Sequence, residues 1–478
     1  MSRPTRVVTV MDPLEDDISA AALAACDRAI AHLSGLRDMR AATPPTLVGL
    51  LDLEEMGGGA TAALAELFHR YGGRFSGSPG PRYWGFVNGG VTPAALAGDW
   101  ICSAIDQNSQ LNGDGAAVHI EDEALRMLRQ LLGLSDAFTG VFVTGGTMAN
   151  YTALATALQG LGRRRGVDVS QDGVAGLGRV HIVSGASHSS IGKSAGMLGL
   201  GRAAVATVAS LPGREAVDLN ALEQHLRLVP PGDCTIVVGN AGTVLTGDFD
   251  DLEGIASLAR QFGAHFHVDG AFGAFAACSA GHQALVRGMQ LADSVASDAH
   301  KFLNVPYDSG FVFTRALSEQ VEAFKNVSTY QSPPASEPRH YIHLSPQNSR
   351  RLRALPAWMT LRAYGAAGYR AIVSRCCHFA AELARHLREE PGFEVLADVR
   401  YNVVCFQVLD AKGLGSNAFT REFLRHVTAD GRVFVSGGEF AGQSCVRLAI
   451  VNWSTQATDI QIALDTFRAA RLLADAPP

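Results

Sequence analysis

Two residues with reactive side chains stand 32 positions apart in the chain. Asp269 closes the apolar run His-Phe-His-Val at 265–268, and Lys301 follows His300 in Ser-Asp-Ala-His-Lys-Phe at 297–302. A lysine amine can condense with an aldehyde to form a Schiff base. A carboxylate can hold a pyridine nitrogen protonated, which turns the ring into an electron sink. The pair therefore suits a pyridoxal phosphate (PLP) site. Each residue also has an ordinary reading: an Asp at a strand end caps a turn or a helix, and a Lys in a loop is solvated. The chemistry depends on whether other segments serve the same cofactor.

Three segments do. Thr144-Gly145-Gly146-Thr147-Met148-Ala149-Asn150 follows the apolar run 140–143 and opens a helix. Free amides at a helix N-terminus suit a phosphate through their unpaired N–H groups and the helix dipole. The motif is neither a Walker loop nor a dinucleotide-binding Gly-x-Gly-x-x-Gly. Ser187-His188-Ser189-Ser190 lies between a strand and a helix; an imidazole there can cap the helix, or stack on a pyridine ring and steer protons. Asn240-Ala241-Gly242-Thr243 ends another strand, where a simple turn is the plain alternative. Together they supply a phosphate cup, a ring-face partner, a counter-ion for a ring nitrogen and an amine.

Such groups converge only if a parallel sheet gathers the strand ends. Short apolar runs occur at 140–143, 180–183, 203–208, 235–238, 265–268 and 310–313, with helical segments at 147–159, 189–198, 218–227 and 250–262. This alternation predicts an α/β domain with a mostly parallel sheet, whose ligands bind at the carboxyl ends of the strands. Before it come predicted helices at 18–39, 61–71, 93–105 and 120–134. After Pro356 a long helix face at 372–387 leads into a strand (403–408), a helix (418–427), two short strands (433–435 and 445–450) and a last helix (457–473). The division expected is a helical segment at 1–90 that packs on another body, a large α/β domain at 91–365, and an α+β C-terminal domain at 366–478. The segment 326–350 is polar, rich in Ser and Pro and without apolar periodicity, which suits a lid. The loop 75–90, Phe-Ser-Gly-Ser-Pro-Gly-Pro-Arg-Tyr-Trp-Gly-Phe-Val-Asn-Gly-Gly, reads as a turn or as a pocket wall.

With 478 residues the chain exceeds one ordinary core, and 47% hydrophobic with 18% charged residues is a soluble globular balance. A net charge of −6 without a basic block argues against nucleic acid or an anionic membrane as partner. No apolar run reaches the ~18 residues of a membrane span, and the N-terminus lacks a secretory apolar region. The 8 cysteines form no Cys-x-x-Cys and no regular framework. A reduced, cytoplasmic protein is expected, and no residue set suggests a metal.

The chain resembles the group II PLP-dependent amino acid decarboxylases, fold-type-I enzymes that include aromatic amino acid, glutamate and histidine decarboxylases. The resemblance runs from about residue 80 to 455 and rests on TGGTMAN at 144–150, SHSSIGKSAGMLG at 187–199, NAGTVLTG at 240–247, HVDGA at 267–271 and SDAHKFLNVPYDSG at 297–310. It implies a sheet of the seven-stranded type and these roles. Lys301 carries the cofactor, Asp269 pairs with the ring nitrogen, Ala271 lies against the ring and His188 stacks on its other face. Gly146, Thr147 and His300 contact the phosphate with Asp298 or Ser297 nearby, and Thr243 joins the cofactor site. Trp84, Phe86, Val87 and Asn88 wall the substrate pocket. A loop tyrosine, Tyr330 with Tyr341 as the competing choice, reprotonates the substrate carbon. Family members are homodimers with the active site at the subunit interface, so the same is expected here. Met148 departs from the acidic residue often found at its position, and Phe-Val-Asn-Gly-Gly departs from the pocket segment of the animal aromatic decarboxylases.

The reaction implied is α-decarboxylation of an L-amino acid to the amine and CO₂, with an aromatic or other hydrophobic side chain favoured. Transamination, carbon–carbon lysis and oxidative deamination to an aldehyde are the rivals on the same scaffold. A PLP-binding regulator would need an output module, and the sequence offers no candidate for one.

Overall fold

The computed structural model describes residues 17–44, 47–55, 57–109, 115–326 and 340–476. The apolar runs become a seven-stranded sheet: β1 (Thr139–Val143), β2 (Val180–Ser184), β3 (Val205–Thr207), β4 (Cys234–Asn240), β5 (His265–Asp269), β6 (Ser294–Asp298) and β7 (Gly310–Thr314). Their order across the sheet is β1-β7-β6-β5-β4-β2-β3. Pairing is parallel from β3 through β2, β4 and β5 to β6, while β7 runs antiparallel to both β6 and β1. Strands β1, β4, β5 and β7 are buried along their whole length, which is why they read as apolar runs rather than as alternating patterns.

Register fixes what meets at the carboxyl edge. Asn240 pairs with Asp269, Asp269 with Ala296, and Gly310 with both Asp298 and Val143. The ends of β4, β5 and β6 therefore stand side by side, next to the turn that follows β1. The helix Gly146–Arg163 leaves that turn and packs on β5, β6 and β7.

Strand β6 was not expected. Its sequence, Ser-Val-Ala-Ser-Asp, is small and half polar, so no apolar run marks it. It is nevertheless fully buried, and Ser294 and Ser297 satisfy their hydroxyls inside the fold, Ser297 on the Gly270 carbonyl at 3.0 Å. This strand delivers Asp298 and then His300 and Lys301 to the edge.

The C-terminal part forms a second, antiparallel sheet in the order β10-β11-β9-β8: β8 (Phe393–Val395), β9 (Val403–Val408), β10 (Ser436–Phe440) and β11 (Gln443–Ala449). Phe393, Phe406, Phe423 and Phe467 build its core, with ring centroids 5.5–6.3 Å apart. The strand expected at 433–435 lies instead at Ser436–Phe440, and the three-residue β8 was missed. The long helix runs from Ala354 to Glu389 and is interrupted at Gly365, whose φ of 57° is a left-handed value that glycine adopts freely.

The helices Ile18–Ser34 and Ala60–Tyr71 bury none of their residues. Among the described residues, no helix is long and apolar enough to cross a membrane, and no group of three or more His, Cys, Asp or Glu is arranged to hold a metal ion.

Candidate active site

The strand ends gather the expected groups at one edge. Lys301 Nζ lies 2.8 Å from Asp298 Oδ2, with both side chains largely buried. The other oxygen of Asp298 accepts from the Gly146 N–H, at the first turn of the helix Gly146–Arg163. His300 Nε2 stands 3.6 Å from the same Oδ1, and His300 Nδ1 donates to the Ser309 carbonyl at 2.9 Å. Burial alone would raise the Asp298 carboxyl, but the charges of Lys301 and His300 overcome it and hold the group below the usual carboxylate range. An anion thus rests on the helix N-terminus, where amide donors and helix dipole favour one.

Asp269 is 6% exposed at the end of β5. Its Oδ1 accepts from the Ala271 N–H at 3.2 Å and its Oδ2 from Asn150 Nδ2 at 2.9 Å. The Ala271 carbonyl in turn accepts from the Asp298 N–H at 2.9 Å, which ties the β5 turn to the end of β6. His188 caps the helix Ser189–Met197, its Nδ1 meeting the Ser190 hydroxyl at 2.7 Å. Burial pushes its imidazole below the ordinary value, and the charges of Asp269, Lys301, Asp298 and Arg447 all reach it. The cap and the functional reading of His188 are compatible, because one ring nitrogen serves the helix and the other is left over.

The loop 86–90 lies directly on the lysine turn. The Gly89 N–H donates to the His300 carbonyl at 3.0 Å, and Asn304 Nδ2 donates to the Gly89 carbonyl at 2.6 Å. A Cβ on Gly89 would collide with the Lys301 carbonyl oxygen, so only glycine allows this approach. Beside it, Phe86 is 59% exposed and clusters with Tyr83 and Phe434, whose rings lie 4.7 Å apart. Behind the loop, Arg447 donates through Nη1 to the Gly85 carbonyl (3.1 Å) and through Nε to the Val244 carbonyl (2.9 Å). Burial pushes this guanidinium down to about 10, and its Nη2 is buried with no hydrogen-bond partner among the described residues.

Several expectations need correction. Trp84 is fully buried and its indole N–H donates to the Pro81 carbonyl at 2.7 Å, so it builds the core and does not wall a pocket. Asn88 braces its own loop, donating to the Ser78 carbonyl and accepting from the Gly90 N–H. Val87 packs half-buried against the core. The Thr243 hydroxyl donates to Glu215 Oε2 at 2.6 Å and accepts from the Asp248 N–H at 2.9 Å, so within the chain it shapes a turn. Tyr341 is buried, and its hydroxyl donates to Asp122 at 2.6 Å, which removes it as a loop proton donor. Tyr330 lies outside the described residues. Thr147 is half-buried in the first turn of its helix. Asn150 and Ser190 were not foreseen as parts of the site, and Asp298 and Lys301, both expected there, were not foreseen as an ion pair. All of them stand inside the quoted motifs, but nothing in their spacing told which side chain would meet which.

The model of the pyridoxal-dependent decarboxylase conserved domain matches residues 77–409. The chain belongs to this family. It is a PLP-dependent amino acid decarboxylase, and pyridoxal phosphate is its cofactor. The aromatic-L-amino-acid decarboxylase of Bacillus atrophaeus is 25% identical over 386 residues, covering 78% of this chain and 77% of the relative. The human cysteine sulfinic acid decarboxylase is 29% identical over 376 residues, covering 76% and 74%. The L-2,4-diaminobutyrate decarboxylase of Rhizobium meliloti is 29% identical over 377 residues, covering 77% and 74%. The fold of the decarboxylase is that of an Oryza sativa TDC solved with PLP and tryptamine, with a TM-score of 0.88 at 21% identity over 99% of both chains. These relatives act on different amino acids, so kinship alone leaves the side chain open.

Proposed function

We propose that this decarboxylase converts an L-amino acid with an aromatic or other hydrophobic side chain to its amine and CO₂. The observation that carries the side-chain preference is the exposed ring of Phe86, flanked by Tyr83 and Phe434, on a loop bonded to the Lys301 turn. Apolar rings on the loop that contacts the lysine turn favour an apolar side chain.

The residues present fit PLP. Lys301 holds the cofactor through its amine. Asp269, already oriented by two donors, holds the proton at the ring nitrogen. His188 and Ala271 would take the two faces of the ring. Gly146, Thr147 and His300 would meet the phosphate at the helix N-terminus, with the Gly146 N–H, which donates to Asp298 in this structure, passing to it. When bound, the cofactor supplies an electron sink for the bond broken at Cα. The free Nη2 of Arg447 offers N–H donors to the substrate carboxylate, and Tyr330 delivers the proton that replaces CO₂ at Cα.

A panel of L-amino acids incubated with the holoenzyme and read by mass spectrometry tests this reading. Amine and CO₂ are expected, with aromatic or aliphatic substrates ahead of acidic ones in kcat/KM. Preferred turnover of an acidic amino acid would reverse the side-chain assignment, and keto acid as main product would favour transamination. In the same assay, run in aerated buffer, Tyr330→Phe is expected to lower amine formation by about 10²-fold or more, the scale of one lost proton-transfer group, and to divert product to aldehyde, CO₂ and ammonia, with dioxygen as the oxidant reduced to hydrogen peroxide. Amine formed by this variant at the parent rate would remove Tyr330 from the role.

We also propose that the decarboxylase is a homodimer with its active sites at the interface. Ile18 (84% exposed), Leu23 (67%) and Ile30 (51%) lie on a helix that buries nothing, and Leu47, Leu50 and Leu53 are essentially fully exposed. Such an array of apolar side chains fits a second copy of the chain. Light scattering on the purified protein is expected to return twice the 50.5 kDa chain mass. A single-chain mass at micromolar concentration would contradict the dimer.

A further inference from the structure

We propose that Asn150 is a positioning residue that sets the Asp269 carboxylate and the His188 ring through one buried amide, itself oriented from behind by His267. The inference rests on the PLP reading of the site.

Asn150 is 1% exposed. Its Nδ2 donates to Asp269 Oδ2 at 2.9 Å and to the Ser190 hydroxyl at 3.0 Å, and its Oδ1 faces His267 Nε2 at 2.9 Å. A carboxylate oxygen next to an amide is met best by the amide nitrogen, so the carbonyl end must accept from His267. That assigns the His267 proton to Nε2 and leaves its Nδ1 to accept from the Ser294 hydroxyl at 2.9 Å. The same hydroxyl then accepts from His265 Nε2 at 3.1 Å. Every donor along His265, Ser294, His267 and Asn150 therefore points toward Asp269. Burial pushes the imidazole of His267 down to about 3 and that of His265 below its ordinary value. Both stay neutral, and the chain keeps one direction.

The second branch leaves through Ser190. Its hydroxyl accepts from Asn150 and so donates its own proton to His188 Nδ1, at 2.7 Å. The Ser190 N–H also points at this nitrogen, at 3.3 Å. The remaining His188 proton is thereby fixed on Nε2. A single amide thus holds the ring-nitrogen partner at one orientation and the ring-face histidine in one tautomer. Each group also takes one local backbone N–H, Asp269 from Ala271 and His188 from Ser190, and the Asn150 branch supplies the second constraint on each.

The test is titration of PLP into the cofactor-free forms of the parent, Asn150→Ala and His267→Leu proteins. Binding is followed by the visible absorption and circular dichroism of the bound cofactor, beside thermal unfolding of each cofactor-free form. Asn150→Ala is expected to weaken PLP binding by roughly tenfold to a hundredfold, as for other groups that orient a binding residue. Its circular dichroism at saturation should change, because the ring is no longer held at a fixed angle. His267→Leu, which leaves Asn150 in place and cuts only its incoming hydrogen bond, is expected to lose about threefold to tenfold and to show the same spectral change in weaker form. Should Asn150→Ala fail to fold, this second variant decides. Parent-like affinity and an unchanged spectrum in the variants would overturn the inference while leaving the PLP reading intact. So would weaker binding that follows the unfolding temperature with no spectral change, since that is a structural effect only. Absence of PLP binding by the parent protein would instead overturn the reading of the whole site, and this inference with it.

Discussion

Lys301→Arg is expected to lower kcat for amine formation by about 10⁴-fold or more, because the group that covalently carries the cofactor is lost. The guanidinium keeps the positive charge opposite Asp298, now 2.8 Å from the lysine nitrogen, but it does not condense with an aldehyde as an amine does. Activity and stability should therefore separate. The cofactor-free Arg variant should unfold near the parent temperature. Lys301→Ala should lose both, because Asp298 is 4% exposed and removing one partner of a buried pair costs on the order of 3 kcal/mol or more. Product assays and calorimetry on the two variants check this. Residual activity of the Arg variant within tenfold of the parent would mean that another amine carries the cofactor.

Asp269→Asn is expected to reduce kcat by roughly 10²–10³-fold, the size of effect seen when one preorganised electrostatic group is removed from a reacting centre. The substitution preserves shape and one acceptor oxygen, so the hydrogen bond from the Ala271 N–H can survive. What is lost is the charge that keeps a ring nitrogen protonated. KM should move far less than kcat, since Asp269 acts on the electron sink and not on the substrate side chain. A kcat within about fivefold of the parent would show that ring protonation does not depend on this carboxylate.

The fold was largely legible because most strands of the large sheet are buried on both faces and so appear as unbroken apolar runs. Strand β9 was read with the bounds it has, and the runs for β1, β2, β4, β5 and β7 lay within a few residues of theirs. Strand β6 escaped because burial there is achieved by small residues whose hydroxyls bond within the fold, which leaves no apolar signal. The site was legible at the level of motifs, since Asp269, His188, His300, Lys301 and Gly146 all occur at strand ends that a parallel sheet must bring together. The partners of each side chain were not. Thr243 follows a strand, and nothing there told that Glu215 from a distant loop takes its hydroxyl. Trp84 looked like a pocket wall because aromatics beside glycine suit a ligand face, yet its indole N–H finds a carbonyl within its own loop and the ring goes to the core. Asn150 showed no signal, because its role depends on His267 and Ser190, 117 and 40 residues away in sequence. Long-range pairings of this kind are set by packing and leave no periodicity to read.

The central claim is that Lys301 carries the cofactor. The chain has only the lysines Lys193, Lys301, Lys325 and Lys412, so the attachment point can be assigned without ambiguity. Borohydride reduction of the holoenzyme fixes the cofactor on its lysine, and peptide mapping by mass spectrometry then locates it. The pyridoxyl mass is expected on the peptide containing Lys301 and on none of the other three. A label on Lys193, Lys325 or Lys412, or no label on a protein that binds PLP, would contradict the account.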